Sequence, residues 1–112
     1  MINVCYLNDN GIKRCLIPVL ERYASNNTIA ITLYTEDYEE YTVITVNITG
    51  NKLSNTDGNT VFVDTNNYPW AVSFIENNGL GKLTGRTVQS GFCSYPEVRV
   101  NLEKINKEIT ME

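Results

Sequence analysis

Apolar and polar residues alternate along most of this chain and change to helical period over residues 69–78. In residues 60–65, Val61 and Val63 fall on one side and Phe62 and Asp64 on the other, the period of a strand. Asp64, Thr65, Asn66 and Asn67 end that run, because Asn and Asp side chains bond nearby amides and favour turns and helix N-caps. Pro69 suits a first helical turn, where its missing N–H is not needed. Trp70, Ala71, Phe74 and Ile75 then form one apolar stripe, so a helix over about 68–78 is predicted. Gly79 can take the left-handed position after it, with Leu80 folding back as the contact of a Schellman motif.

The remainder reads as short strands and turns. Residues 2–7 alternate, and Asn8-Asp9-Asn10-Gly11 is a strong reversal signal. Residues 12–23 keep period two around Pro18, which restricts a strand there to an edge or a bulge; a helix starting at Pro18 is the competing reading. A turn at 25–27 leads to a strand over 28–35, and an acidic loop joins it to a strand over 41–49. Residues 50–59 read as a polar loop anchored by Leu53. Residues 81–91, with three Gly and no period, also read as a loop. Alternation returns over 92–102, broken at Pro96, and residues 103–112 read as a frayed tail or short helix. The expectation is α+β: a mostly antiparallel sheet of five or six strands with one main helix packed on a face, in a single domain over 1–112.

Composition narrows function mainly by exclusion. The chain has 112 residues, 42% hydrophobic and 20% charged, enough for a core without disulfide or metal. A net charge of −4 with scattered basic residues argues against direct nucleic-acid binding. No run approaches the roughly 20 apolar residues of a membrane span, and residues 1–11 lack a signal-peptide pattern, so the chain reads as cytoplasmic. Cys5, Cys15 and Cys93 have no metal-ligand spacing, and there is no His. Cys5 and Cys15 could face each other across a hairpin, but buried free thiols are the plainer reading. No cofactor or metal is expected.

Without His, neither a Ser-His-Asp nor a Cys-His arrangement can be built. Glu36, Asp37, Glu39 and Glu40 offer paired carboxylates, but in a polar loop where no burial sets one apart from another. The chain is therefore expected not to be an enzyme. Three candidate binding clusters remain. Asp64, Asn66, Asn67 and Tyr68 sit at the strand–helix corner, where capping is the simpler role. Arg86, Ser90, Phe92 and Tyr95 combine Arg with aromatics, as interface hot spots do; the alternative is that the aromatics are core and Arg86 pairs with a carboxylate. The acidic residues 36–40 form the third, readable as a solvated tip.

Several segments carry a resemblance as a set. They are Tyr23-Ala24-Ser25-Asn26-Asn27 leading into Ala30-Ile31-Thr32-Leu33-Tyr34, then Thr45-Val46-Asn47-Ile48, then Val63-Asp64-Thr65-Asn66-Asn67-Tyr68-Pro69-Trp70. Thr84-Gly85-Arg86 and Ser90-Gly91-Phe92-Cys93-Ser94-Tyr95-Pro96 complete the pattern. Over about residues 20–100 the chain resembles a family of small uncharacterised domains on phages, plasmids and conjugative elements of Gram-positive bacteria. That resemblance implies an accessory protein of a mobile element and carries over no catalytic residue. It points to an interaction module, an inhibitor of a host defence nuclease complex such as CRISPR-Cas by surface occlusion (an anti-CRISPR protein), acting as monomer or homodimer. A nucleotide-sequestering module and a structural homo-oligomer are the alternatives.

Overall fold

The computed structural model describes residues 4–9, 11–23, 29–48 and 59–107. In chain order the elements are β1 (Cys5–Asp9), β2 (Ile12–Arg22), β3 (Ile29–Tyr34), β4 (Glu40–Val43), β5 (Thr45–Val46), β6 (Thr60–Val63), α1 (Ala71–Asn77), β7 (Gly81–Ser90) and β8 (Cys93–Val100). They form two four-stranded antiparallel sheets, ordered β1-β2-β3-β4 and β5-β6-β8-β7. The expected turn at 25–27, nearly all of the loop at 50–59 with Leu53, and residues 108–112 lie outside the described residues.

The fold is mainly β, and the α+β expectation of one five- or six-stranded sheet under a helix is corrected. Two features account for the difference. The apolar run through 43–46 reads as one strand, yet it changes sheet at Ile44. The Ile44 N–H donates to Ile31 O at 3.1 Å on one side, while its C=O accepts from Asp64 N at 2.9 Å on the other. Ile44 is wholly buried at this corner. Second, residues 81–90 are a strand and not a loop. Most of β7 is exposed on both faces, so it carries no alternation for a sequence to show. Pairing with β8 orders it instead.

The two sheets share one core with the helix. Leu16, Ile31 and Leu33 come from the first sheet, and Val61, Val63, Val98 and Val100 from the second. Ala71, Phe74 and Ile75 of α1 complete it, so the helix stripe read from the sequence is the buried one. Gly79 has φ +69, Gly79 N donates to Glu76 O and Leu80 N to Ile75 O at 2.9 Å. This is the expected Schellman end, with Leu80 fully buried.

Sheet edges are covered by side chains and by one turn of chain. Asn78 Oδ1 accepts from Tyr6 N, and its Nδ2 donates to Tyr6 O, both at 3.4 Å along β1. Glu76 Oε2 accepts from Leu83 N at 3.4 Å along β7. The last turn of α1 thus reaches an edge of each sheet. Beyond Leu16, where β1 stops pairing, Asn106 takes over the flank of β2: Leu20 N donates to Asn106 O at 2.7 Å, and Asn106 N and Nδ2 donate to Pro18 O. Pro18 is therefore tolerated in an inner strand, because its missing N–H lies on this flank and not against β3. Residues 102–104 make one turn, with Ile105 N donating to Asn101 O; the end of the expected tail or short helix, 108–112, lies outside the described residues.

The hairpin of β1 and β2 pairs Cys5 with Leu16 and Tyr6 with Cys15. Cys5 and Cys15 therefore point to opposite faces and cannot meet. All three cysteines are free. Burial pushes the Cys5 thiol up to about 11, with Lys104 opposing weakly. At pH 8 its thiolate fraction is then about a thousandth. Timed alkylation at pH 8 with peptide mapping should modify the half-buried Cys15 and Cys93 first and leave Cys5 until the protein unfolds. At Gly81 an added Cβ would lie 2.6 Å from Arg99 O and 2.8 Å from Val98 Cγ1. Gly81→Ala should therefore cost about 1–3 kcal/mol in urea denaturation, the usual cost of overpacking.

Candidate protein-binding site

Residues 84–96 form the distal part of the hairpin of β7 and β8. Leu83 pairs with Val98 and Thr87 with Pro96, so residues 84–86 oppose Glu97 alone. Gly85, at φ +91, allows this bulge. Its effect is to turn the side chains on both sides of it onto one carboxylate. Arg86 Nε and Nη2 donate to Glu97 Oε1 and Oε2, both at 2.8 Å, and Thr84 Oγ1 donates to Oε1 at 2.7 Å. Glu97 is wholly buried, whereas the Arg86 side chain is half exposed. A buried charge is tolerable only when paired and hydrogen-bonded like this.

Arg86 is consequently a structural clamp at the base of the arm. Sequence reasoning missed Glu97, which looks like a solvated residue in alternation with Tyr95 and Arg99. The available signal was Thr84-Gly85-Arg86, where a bulge glycine sits between two donors. Beyond this base the arm pairs Thr87 with Pro96, Val88 with Tyr95, Gln89 with Ser94 and Ser90 with Cys93. Gly91 (φ +61) and Phe92 make the reversal. Phe92 is fully exposed at the apex, at 107%, and so is not core. Ser90 is exposed beside it, and Tyr95 is half covered. A hydrogen bond with Cys93 holds the Tyr95 phenol above its ordinary value, with the Asp64 charge a lesser contribution.

The corner cluster serves its turn and not the helix. Asp64 is buried; its Oδ1 accepts from Asn67 N at 3.2 Å and its Oδ2 from Asn67 Nδ2 at 2.9 Å. Its C=O accepts from Tyr68 N at 2.9 Å. The helix begins after Trp70, which makes no side-chain cap, so Asp64, Asn66 and Asn67 do not cap it. Tyr68 accepts a hydrogen bond from Thr42 Oγ1 and packs on Trp70, and Asn66 is exposed. Nearby, Tyr23 and Thr45 hydroxyls bond at 2.9 Å, and Thr45 Oγ1 also accepts from Ile31 N. Burial raises the Tyr23 phenol; the Thr45 bond opposes this and Asp64 adds to it.

The acidic residues lie at the tip joining β3 and β4, in the other sheet from the arm. Thr35 organises that tip: its N–H donates to Glu39 O, its C=O accepts from Tyr38 N, and its Oγ1 accepts from Glu39 N. Glu36, Asp37, Glu39 and Glu40 are all exposed. The three candidate clusters lie on different turns: Arg86, Ser90, Phe92 and Tyr95 share one hairpin, the acidic tip is in the other sheet, and the corner is near enough for the Asp64 charge to act on Tyr95. Among the described residues no group of His, Cys, Asp or Glu could hold a metal, and no helix is long and apolar enough to cross a membrane.

Removing Arg86 leaves a buried carboxylate without its counter-charge. Arg86→Ala should cost about 2–4 kcal/mol by chemical denaturation, below the cost of a fully buried pair because water reaches the guanidinium. Glu97→Gln should cost less, since it leaves no buried charge behind.

No curated protein and no solved structure matches the chain. A family model, described as a domain of unknown function (DUF4313), matches residues 17–111. That stretch holds every element from the middle of β2 onward, including the arm, the buried Glu97 and the corner at Asp64. The chain belongs to the DUF4313 family.

Proposed function

We propose that this protein is a non-enzymatic interaction module whose contact surface is the apex of the β7–β8 arm. One observation carries the reading: a fully exposed Phe92 at the end of a hairpin whose base is fixed by Arg86, Thr84 and Glu97. A large apolar side chain held out on a rigid support loses little conformational freedom when it enters a partner's pocket. The arm from Thr87 to Pro96 carries no charge, so its burial needs no charge desolvation. The resemblance to domains of mobile elements supports the kind of partner: a host defence nuclease complex such as CRISPR-Cas, which the bound protein would occlude.

The test is an interference assay in host cells carrying an active CRISPR-Cas system. Expression of the wild-type protein should restore plasmid or phage entry. Phe92→Ser should reduce this effect and weaken binding to the isolated nuclease complex some thirtyfold, about 2 kcal/mol for one buried aromatic side chain. Arg86→Glu is unsuited to this test, because it would disrupt the clamp at the base. Unimpaired interference with no measurable binding, or equal potency of Phe92→Ser, overturns the reading.

A further inference from the structure

We propose that the protein forms a two-fold dimer by pairing the outer edge of β7, over Thr87–Ser90, with the same edge of a second copy. Among the described residues the other edges are covered, interrupted or short: β5 has two residues, and on the far side of the arm β8 turns outward Pro96, which has no N–H. Asn78 occupies the Tyr6 edge of β1, Glu76 takes the Leu83 amide, and the 84–86 bulge interrupts β7. Asn106 lies along β2, and β4 is four residues long and starts with a charge, Glu40. Past the bulge, among the described residues, this protection stops. β7 is terminal in its sheet, and Thr87, Gln89 and Ser90 are exposed. An unprotected, uncharged edge of this kind is a template for another strand.

The register follows from the hairpin. A two-residue reversal at Gly91 and Phe92 makes Ser90 and Cys93 the last hydrogen-bonded pair. Alternation then turns the N–H and C=O of Thr87 and Gln89 outward. A two-fold antiparallel pairing centred on Val88 sets Thr87 of one copy against Gln89 of the other. Each outward amide then meets a carbonyl. In such self-pairing a charged residue at the centre faces its own charge, which a sheet avoids. Thr87, Val88, Gln89 and Ser90 are all neutral, and the nearest charge, Arg86, falls opposite Ser90 of the second copy. The edge is thus self-complementary about Val88 with no charge to oppose the pairing, which fits a second copy as the occupant. The two Phe92 side chains end at opposite ends of the paired ribbon, so the dimer presents both. The dimer and the Phe92 binding surface are independent of one another.

Sedimentation equilibrium of the purified chain tests this directly. The short interface should give a dissociation constant between about 10 μM and 1 mM. Gln89→Pro removes an outward N–H that the hairpin itself does not use, so it should weaken the dimer more than tenfold with the circular dichroism spectrum unchanged. Ser94→Pro makes the same change on the β8 side of the arm and should leave the dimer intact. The pair Thr87→Lys with Gln89→Lys sets like charges opposite each other and should also abolish it, whatever proline does to the arm. A wild-type chain monomeric to about 1 mM, or dimers that survive both β7 variants, overturns the proposal.

Discussion

A β-sheet ends in a row of main-chain amides and carbonyls, and leaving them bare invites another chain. Here the covering groups are side chains placed by one short helix and one turn. Asn78 meets both polar groups of Tyr6, and Glu76, two residues earlier, accepts from Leu83. Both hang from the last turn of α1, which the buried Phe74 and Ile75 fix against the core. The Schellman end at Gly79 and Leu80 then sends the chain directly into β7. A helix of seven residues buries Ala71, Phe74 and Ile75 in the core. Its weight in the structure comes from where its end sits, between an edge of each sheet.

The second constraint is the buried carboxylate of Glu97. It lies where the sheet proper stops, because β6 pairs with β8 only as far as Phe62 opposite Glu97. From there the hairpin continues as two strands, with Val88 buried on one face, a form that is marginal without an anchor. Arg86 and Thr84 supply the anchor across the bulge. The arm can therefore be slim and neutral yet still point in one direction. Its exposed apex and its bare β7 edge are two separate consequences of the same extension.

Much of the fold was legible in the residues. The β1–β2 and β3–β4 hairpins, the strand at 60–63, the helix stripe and its glycine stop all follow local patterns that the structure keeps. What failed had physical causes. Ile44 turns between sheets inside an unbroken β-branched run, and no residue type marks a corner made by main-chain bonds. Most of β7 is wet on both faces, with Val88 its one buried large side chain, so alternation had little to record. At the candidate site, Phe92 and Ser90, both exposed in the structure, stand out in the sequence because their hairpin is rich in glycine and aromatics. Glu97 was not, since a carboxylate in strand alternation looks solvated until the bulge folds an arginine over it. Asp64 and Asn67 were assigned to the right corner but serve the turn, because Pro69 and Trp70 separate that turn from the helix.

Side chains at the end of α1 and the Asn106 turn stand in for missing strands, and among the described residues nothing covers the outer edge of the arm in this way. Residue-resolved hydrogen exchange on dilute protein tests it most directly. Exchange should be slow at Tyr6, Leu20 and Leu83, although each N–H faces away from its paired strand. Thr87 and Gln89 should exchange fast in the same samples. Rapid exchange at Tyr6 and Leu83, or protection at Thr87 and Gln89 at concentrations where the chain is monomeric, would contradict it.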